Sequence, residues 1–354
     1  MATGVNGNEV EVTGSAQHRA WAQRVLPPVE EVRPGVWSVP VPIPHNPLRY
    51  TLSYAFVDDT GVVLIDPGWD TADGRNALKA GLAAAGADLT DVRGVVATHV
   101  HPDHHGLSGW LREESGAWIG MHPAEVATLP GRIWRDRGAR DDGRWLSRHG
   151  VPDEVGVDLA VDPARIADML DMAEPDRLIA DGERLPVPGR EVRAVWTPGH
   201  TPGHLCLQDA GAGILLTGDH LLPRISPNIG THDDSDPLTE YLGSLARTTR
   251  FGDFEALPAH EYRFRGVDRR ATGLITHHEE RIAEILAVVD RMPAAPAWTI
   301  AGELTWSRGW ASLQGMMLRM ALAETVAHLH HLLATGRLVR LPGEPIAWRR
   351  PAVG

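Results

Sequence analysis

The sequence predicts a mixed α/β protein, and three observations support this fold class. Short apolar runs such as Leu52 to Val57 and Val62 to Ile65 have the length of buried strands. Apolar residues spaced by three and four follow in Asp73 to Ala85, which predicts a helix that ends at Gly86. Clusters of histidine and aspartate come directly after other strand-like runs, the first of them Val92 to Ala97.

The composition limits the possible classes of protein. The 354 residues, 43% of them hydrophobic, suit one large domain with an appendage. A formal net charge of −12 provides no global basic field for nucleic acid. The single cysteine, Cys206, lies in an apolar run, cannot form an internal disulfide and suits a reducing cytoplasm. We see no secretory signal and no apolar run near the roughly 20 residues that span a bilayer, so we expect a cytoplasmic protein without a membrane partner.

The N-terminal half alternates helices and strands. Residues 1–14 are polar and glycine-rich, which predicts disorder, and a catalytic domain is expected over residues 15–265. Asp58-Asp59-Thr60-Gly61 joins two strands as a hairpin turn. The other elements predicted here are helices over Ala16 to Leu26 and Leu107 to Glu114, and strands over Val36 to Val41 and Trp118 to Met121.

The character of the chain changes over residues 125–180, where arginine, aspartate and tryptophan dominate. We interpret this stretch as a helical insertion, with one helix over Pro163 to Ala173, that either covers a site or decorates the surface. Strand character then returns, with glycine and proline turns between the runs and a helix over Leu238 to Thr248. The strands predicted here are Leu185 to Val187, Val192 to Trp196, Leu205 to Gln208, Ile214 to Thr217 and Phe254 to Leu257.

Residues 266–354 are predicted to form a helical, winged-helix-like module. Helices are expected over Thr276 to Arg291, Thr299 to Leu304 and Leu313 to His331, followed by a short ribbon at Arg337 to Leu341. The module suits packing on the catalytic domain or formation of a homodimer. We expect its histidines on the surface: His277, His278, His328, His330 and His331.

Metal-binding side chains follow four strands. The candidate ligands are His99, His101, Asp103 and His104 in T-H-V-H-P-D-H-H-G, His200 in T-P-G-H, Asp219 in L-L-T-G-D, and His260 in L-P-A-H-E-Y. Because the ends of neighbouring strands meet at one edge of a sheet, these side chains are expected to converge. Neutral imidazole and carboxylate suit zinc and similar ions. A carboxylate such as Asp219 is able to bridge two ions.

In order and spacing, these residues resemble the metallo-β-lactamase superfamily over about residues 35–265. The resemblance implies an αββα sandwich with the site at one edge. It also implies one metal on His99, His101 and His200, a second on Asp103, His104 and His260, and Asp219 between them. Asp66, in L-I-D-P-G, matches a position that supports the ligands from behind. Three histidines that lie beside the ligands in sequence are outside the ligand pattern and are expected to pack near it: His105, His204 and His220.

The resemblance predicts a binuclear metal-dependent hydrolase. A metal-bridging hydroxide would attack the ester, thioester or lactone bond of a small-molecule acyl substrate. Asp103, besides binding metal, is the candidate to orient the nucleophile or move a proton, and Tyr262 and Arg263 are candidate substrate contacts. Two divalent ions are expected, with Zn²⁺ ahead of Fe or Mn. The aspartate at position 219 resembles the hydroxyacylglutathione hydrolase, lactonase and nuclease-type branches rather than the lactamases that destroy antibiotics.

Two other functions are weighed against hydrolysis of acyl substrates. His278-Glu279-x-Arg281 and Ala323-Glu324-Thr325 resemble the lactamase-β-like hydrolases, a group with an endoribonuclease and polyketide thioesterases. The alternative is therefore a metal-dependent endoribonuclease or phosphodiesterase that holds RNA with its C-terminal module. The net charge and the scattered arginines of that module argue against nucleic acid. A di-iron centre for oxygen or sulfur chemistry is the third hypothesis.

Overall fold

Two β-sheets form the centre of the molecule. The computed structural model describes residues 10–160, 172–187, 189–231 and 234–352, without the side chains of 133–140. The first sheet contains, in spatial order, β2 (Glu30–Arg33), β3 (Val36–Pro42), β4 (Tyr50–Asp58), β5 (Gly61–Ile65), β6 (Val92–Val96), β7 (Trp118–Met121) and β8 (Arg177–Leu178). The second contains β1 (Glu11–Val12), β13 (Phe264–Arg265), β12 (Glu255–Pro258), β11 (Ile214–Gly218), β10 (Leu205–Asp209) and β9 (Val192–Trp196).

The two sheets bury their facing sides against each other. In β4, Leu52, Tyr54 and Phe56 point into the space between the sheets, where they meet Ile214 and Leu216 of β11. This follows from the period of two along a strand, which sends alternate residues to opposite faces. Both strands are buried on both faces, and so they appear in the sequence as continuous apolar runs.

Helices cover the two outer faces. On the first sheet lie α2 (Ala72–Ala84) and α4 (Ser108–Ser115), whose Leu78, Leu82 and Leu111 pack against it. On the second sheet lie α8 (Pro237–Thr248) and α9 (Val267–Arg291), with Leu215 of β11 in their shared core. The order helix, sheet, sheet, helix confirms the predicted α/β class and its αββα arrangement.

The remaining helices flank this sandwich. They are α1 (Ser15–Gln23), α3 (Pro102–His105), α5 (Pro123–Ala127), α6 (Pro130–Arg148), α7 (Asp153–Leu159), α10 (Ala297–Glu303) and α11 (Gly315–Ala334). The last part of the chain adds a three-stranded sheet in the order β14 (Ala295–Pro296), β16 (Ala347–Arg349), β15 (Val339–Leu341). Among the described helices, none is long and apolar enough to cross a lipid bilayer.

Several predicted elements are corrected. Glu11–Val12 pairs with Phe264–Arg265, so this part of the N-terminal stretch is ordered, while residues 1–9 lie outside the described residues. Leu185 to Val187 is not a strand, because only Arg184 beside it makes an isolated bridge, to Arg193. The strand β2 was not predicted, since its sequence Glu-Glu-Val-Arg offers one buried apolar residue.

The C-terminal module shares one core with the rest of the chain. The helix α9 begins at Val267 rather than Thr276, because Ala271 and Leu274 in its first turns pack under the second sheet. The insertion joins the same core through Trp145 and Leu159. The predicted helix over Pro163 to Ala173 falls, except for its last two residues, outside the described residues. The described residues of 266–352 and of the insertion therefore share one hydrophobic core with the sandwich.

The prediction that the C-terminal histidines lie on the surface is wrong for four of them. His277, His278, His328 and His330 are buried, and His331 is half-buried. His328 donates its Nδ1–H to the Glu324 carbonyl at 2.7 Å, so its Nε2, 3.1 Å from Nδ1 of His278, is the acceptor of that contact. Both rings are thus neutral members of an interhelical hydrogen bond between α9 and α11.

This buried pair makes the fold sensitive to acid. Burial, with Arg281 nearby, lowers the pKa of His328 from 6.5 to about 4, although its bond to the Glu324 carbonyl opposes the shift. Between these values the unfolded chain binds a proton that the folded chain does not, so stability falls as pH falls from about 6.5 to about 4. We expect His328→Gln to reduce the loss of unfolding free energy between about pH 7.5 and pH 5 by about 2 kcal/mol. Denaturant unfolding at both pH values measures this change. The control is His331→Gln on the same helix. An equal effect of the two substitutions would contradict the role assigned to His328.

Candidate metal centre

The histidine-rich stretch lies at the end of β6, as its sequence predicts. Thr98 closes the strand, and its backbone N–H and hydroxyl both donate to the Asp66 carboxylate, at 2.7 and 2.8 Å. His101 then precedes α3, in which Pro102 occupies the first turn. This short helix carries Asp103 and His104, and both side chains are buried.

The predicted ligands form three overlapping groups. The groups are His99, His101 and His200; His99, His104 and Asp219; and Asp103, His104 and His260, and the ligand atoms within each group lie within 4.8 Å of one another. Nδ1 of His101 is 2.9 Å from Nε2 of His99 and 3.2 Å from Nε2 of His200. Four strand ends that are far apart in the sequence thus meet at one edge of the sandwich.

Asp219 lies between the two sets of histidines. Its Oδ1 is 3.1 Å from Nε2 of His260 and 3.6 Å from Nε2 of His104. Its Oδ2 instead faces His200, 3.7 Å from Nε2. The two oxygens of one carboxylate therefore point to different groups, which is the placement that a bridging ligand requires.

Several buried ligand atoms lack a protein partner. Nε2 of His104, Nε2 of His260 and Oδ1 of Asp219 are buried, and none has a hydrogen-bond partner among the described residues. Each ring has its Nδ1 bonded on the other side, so the 3.1 Å approach of Oδ1 to Nε2 of His260 brings two acceptors together. Leaving buried polar atoms unpaired costs about 1–3 kcal/mol each. Cations among these atoms would use the lone pairs of all three, and the imidazole and carboxylate donors suit divalent metals. The residues present therefore fit a metal centre.

The electrostatics separate the two sides of this centre. Burial, followed by the neighbouring histidines, lowers the pKa of His101 to about 3 and the pKa of His99 well below its usual value. On the other side, burial alone would lower the pKa of His104, but the carboxylates of Asp103, Asp66 and Asp219 raise it well above its usual value. The first side offers neutral imidazoles, and the second carries the negative charge of the carboxylates.

Hydrogen bonds from behind fix the orientation of the ligands. Asp66 Oδ2 is 2.9 Å from Nδ1 of His104, which leaves Nε2 facing the site. Nδ1–H of His200 donates to the Asn228 carbonyl at 2.8 Å, and Nδ1–H of His260 donates to the Tyr50 carbonyl at 2.9 Å. Each bond selects the tautomer whose Nε2 lone pair is free for a cation.

The sequence did not reveal the role of Glu125, the first residue of the predicted insertion. Its carboxylate is buried and accepts from the N–H of Val100 at 2.7 Å and of Gly203 at 2.6 Å. It therefore ties the loop that carries His99 and His101 to the loop that carries His200. Burial raises its pKa. A lone glutamate after the strand β7 gives no local signal for such a bond.

The three histidines outside the ligand pattern have other partners. Nε2 of His204 accepts the Asp219 backbone N–H at 3.1 Å, and Nε2 of His220 is 2.9 Å from the Thr248 hydroxyl. His105 contacts the Ser108 hydroxyl at 2.8 Å and the Ala173 carbonyl at 2.7 Å. His204 therefore positions the candidate bridging residue, and His105 anchors the end of the insertion.

Two glycines allow the ligand loops to approach closely. Gly218 precedes Asp219 with φ 48°, and a Cβ there would lie 2.6 Å from Nε2 of His204. Gly199 precedes His200 with φ 135°, and a Cβ would lie 2.4 Å from that of Tyr241. Only glycine combines such backbone angles with such short distances, which explains the G-H and G-D pairs of the sequence.

Asp66 is predicted to control metal affinity without binding the metal. In Asp66→Asn the amide supplies one oxygen where the carboxylate supplies two, so the hydrogen bonds of His104 and Thr98 are no longer all satisfied. Loss of such a supporting partner lowers metal affinity about 10–100-fold. Competition titration with a chromophoric chelator measures this. Asp70→Asn, an exposed carboxylate four positions on, is the control, and an equal affinity of the two variants would contradict the role.

A cavity of about 360 Å³ adjoins the candidate centre. His101, Asp103, His200 and Asp219 line one side of it. The other walls come from the loops at 46–48 and 222–228 and from Met316, Met317, Met320 and Glu324 of α11. The described part of the insertion does not line this cavity. A C-terminal helix, not the described insertion, thus faces the site.

The two candidate substrate contacts lie elsewhere. Arg263 is buried and bonded to the carboxylates of Glu255 at 2.8 Å and Glu30 at 2.7 Å, and it does not line the cavity. The Tyr262 ring packs edge-on against His18, with 4.7 Å between ring centroids. The Tyr262 ring therefore contacts α1, and the Arg263 side chain joins β12 to β2.

The fold and the site together define a four-layer αββα protein with a histidine and aspartate centre at one sheet edge. The metallo-beta-lactamase superfamily model matches residues 46–262, a range that contains every candidate ligand. The chain belongs to the metallo-beta-lactamase superfamily of hydrolases.

Similar proteins cover nearly the whole chain. The lactamase-like protein adaB of Aspergillus niger is 26% identical over 343 residues, which cover 93% of this chain and 89% of that protein. A metallo-beta-lactamase family protein of Thermus thermophilus, TTHA1429, is 33% identical with a TM-score of 0.76, covering 91% of this chain and 100% of that one. A beta-lactamase domain protein of Burkholderia ambifaria gives 26% identity and a TM-score of 0.81, covering 99% and 100%. The similarity thus includes the C-terminal module.

Proposed function

We propose that the protein is a binuclear metal-dependent hydrolase that cleaves the ester, thioester or lactone bond of a small acyl substrate. The observation that carries this proposal is the position of Asp219, whose two oxygens face different groups of histidines, 3.1 Å from Nε2 of His260 and 3.7 Å from Nε2 of His200. One carboxylate shared in this way supports two metals rather than one.

The residues divide between the two metals as follows. His99, His101 and His200 would hold the first, Asp103, His104 and His260 would hold the second, and Asp219 would contact both. Bound there, divalent ions such as Zn²⁺, Fe or Mn supply Lewis acidity towards a carbonyl oxygen and lower the pKa of water.

The chain's own groups supply position and proton transfer. Asp103 lines the cavity, and its Oδ2 is 3.4 Å from Nε2 of His260, so its carboxylate stands where it would hold the proton that the leaving group takes up. The loop at 222–228 and the methionines of α11 line the cavity beside it. These apolar walls suit an acyl chain.

The arginines of the C-terminal module support an acyl substrate over RNA. Arg319 is buried and paired with Asp142, and Arg340 and Arg350 are paired with Asp234 and Asp290 at 3.0 and 2.9 Å. Contact with phosphates requires unpaired basic groups along a groove. The described arginines named here are instead matched by acidic partners.

Metal analysis together with a substrate panel tests this function. Protein purified without chelators is expected to contain about two equivalents of a divalent metal and to hydrolyse members of a panel of acyl esters, thioesters and lactones. Activity should disappear on chelation and return on reloading. A chelated protein that keeps full activity would overturn the proposal, as would a loaded protein that cleaves only single-stranded RNA.

A further inference from the structure

We propose that Glu324 selects acyl groups that carry a hydroxyl group, a hydrogen-bond donor, on an otherwise apolar chain. This inference rests on the proposed function, since it assigns a role in substrate choice to a wall of the same cavity. It concerns the part of the cavity wall that α11 provides.

Glu324 is the buried polar residue of that wall. It lines the cavity with His101 and Asp219, yet its side chain belongs to none of the three groups of candidate ligands. The residue is 4% exposed, and its Oε1 has no hydrogen-bond partner among the described residues. Leaving a buried acceptor without a partner is unfavourable. A ligand in the cavity that brings a donor to this carboxyl group would give it a partner.

The helix α11 presents this carboxyl group behind an apolar surface. Met316, Met320 and Glu324 are spaced by four, so they share one face of the helix. Along this face exposure falls from 59% at Met316 to 4% at Glu324. Flexible methionine side chains adapt to acyl groups of different shape. The face therefore offers an adaptable apolar entrance that ends in one polar group.

The chemistry of the carboxylate defines the ligand. The oxygens of a carboxylate accept hydrogen bonds, so a ligand group that pairs with them must be a donor. A plain acyl chain of equal length would bury Glu324 against methyl groups and leave it unpaired. Sites with such buried polar groups discriminate strongly against analogues that lack the matching group.

Calorimetry with matched ligands tests the proposal independently of turnover. The ligands are non-hydrolysable amide analogues of terminally hydroxylated acyl groups and of plain acyl groups of the same length, in short, medium and long series. The metal-loaded wild type is expected to bind one or more of the hydroxylated analogues at least about tenfold more tightly than the plain partner. Glu324→Leu should abolish this preference, whereas Glu279→Leu, at an exposed position of α9, should retain it.

Three results would overturn the assignment. They are equal or undetectable binding of all pairs by the wild type, a preference that persists in Glu324→Leu, or a preference lost equally in Glu279→Leu. If Glu324→Leu does not fold, Glu324→Gln decides, because exchanging a charged acceptor for a neutral one must weaken the preference. Thioesters of the same acyl groups are assayed in parallel. Their failure to react would overturn the proposed hydrolysis, while calorimetry would still decide the role of Glu324.

Discussion

Replacing Asp219 with alanine is expected to lower kcat/KM for an acyl substrate by about a thousandfold or more, the equivalent of several kcal/mol of transition-state stabilisation. The reason is geometric, because Asp219 Oδ1 faces His260 and His104 while Oδ2 faces His200. No other described carboxylate is shared between the two sets of histidines. Metal analysis of the variant should show that less than the full complement of metal is retained.

A matched variant separates this effect from a general loss of acidic charge. Asp253 is exposed and lies just before β12, away from the cavity, so Asp253→Ala should keep both metal content and activity. Asp219→Ala protein that retains two metals and near-normal kcat/KM would show that the carboxylate is not a bridge. Circular dichroism of both variants establishes that the fold is intact.

Replacing Arg270 with methionine is expected to destabilise the fold by about 3 kcal/mol and to raise KM. Arg270 is a buried residue of α9, and it donates to the carbonyls of Leu222 at 2.7 Å and Ile225 at 2.8 Å. Both of those residues line the cavity. Methionine fills similar volume but leaves the carbonyls without these donors, so the wall they form should loosen.

The neighbouring arginine provides the control. Arg269 is exposed on the same helix, and Arg269→Met should change unfolding free energy by no more than about 0.5 kcal/mol. Denaturant unfolding and steady-state kinetics on both variants measure the two effects. Equal stability of the two variants, or a fall in kcat with KM unchanged, would contradict the role assigned to Arg270.

The sequence predicted the α/β class because its signals are local, and the resemblance of its histidine and aspartate motifs implied the αββα sandwich. Continuous apolar runs such as Leu52 to Val57 require burial on both faces, and helical spacing marks the layer outside them. The order of histidines and aspartates predicted which side chains would converge, because each follows a strand and strand ends share an edge. Local signals fail where pairing is short, as in β1 and β2, or where apolar residues form no strand, as at Leu185 to Val187.

Long-range contacts decided what surrounds the candidate centre. Arg263 follows His260 closely in sequence, yet its charge is matched by Glu30, a partner more than two hundred residues away. His278 and His328 are buried because α9 and α11 pack against each other, and the sequence of neither helix predicts that contact. Glu125 likewise acquires its role only through Val100 and Gly203.

The sequence by itself therefore determined the fold class, the superfamily and the set of side chains that meet at the sheet edge. Only the tertiary structure decided that α11, rather than the described insertion, lines the cavity beside them and brings Glu324 to it. The physical reason is that periodicity and spacing encode which face of an element is buried. The partner that buries it is chosen by packing among elements distant in the chain.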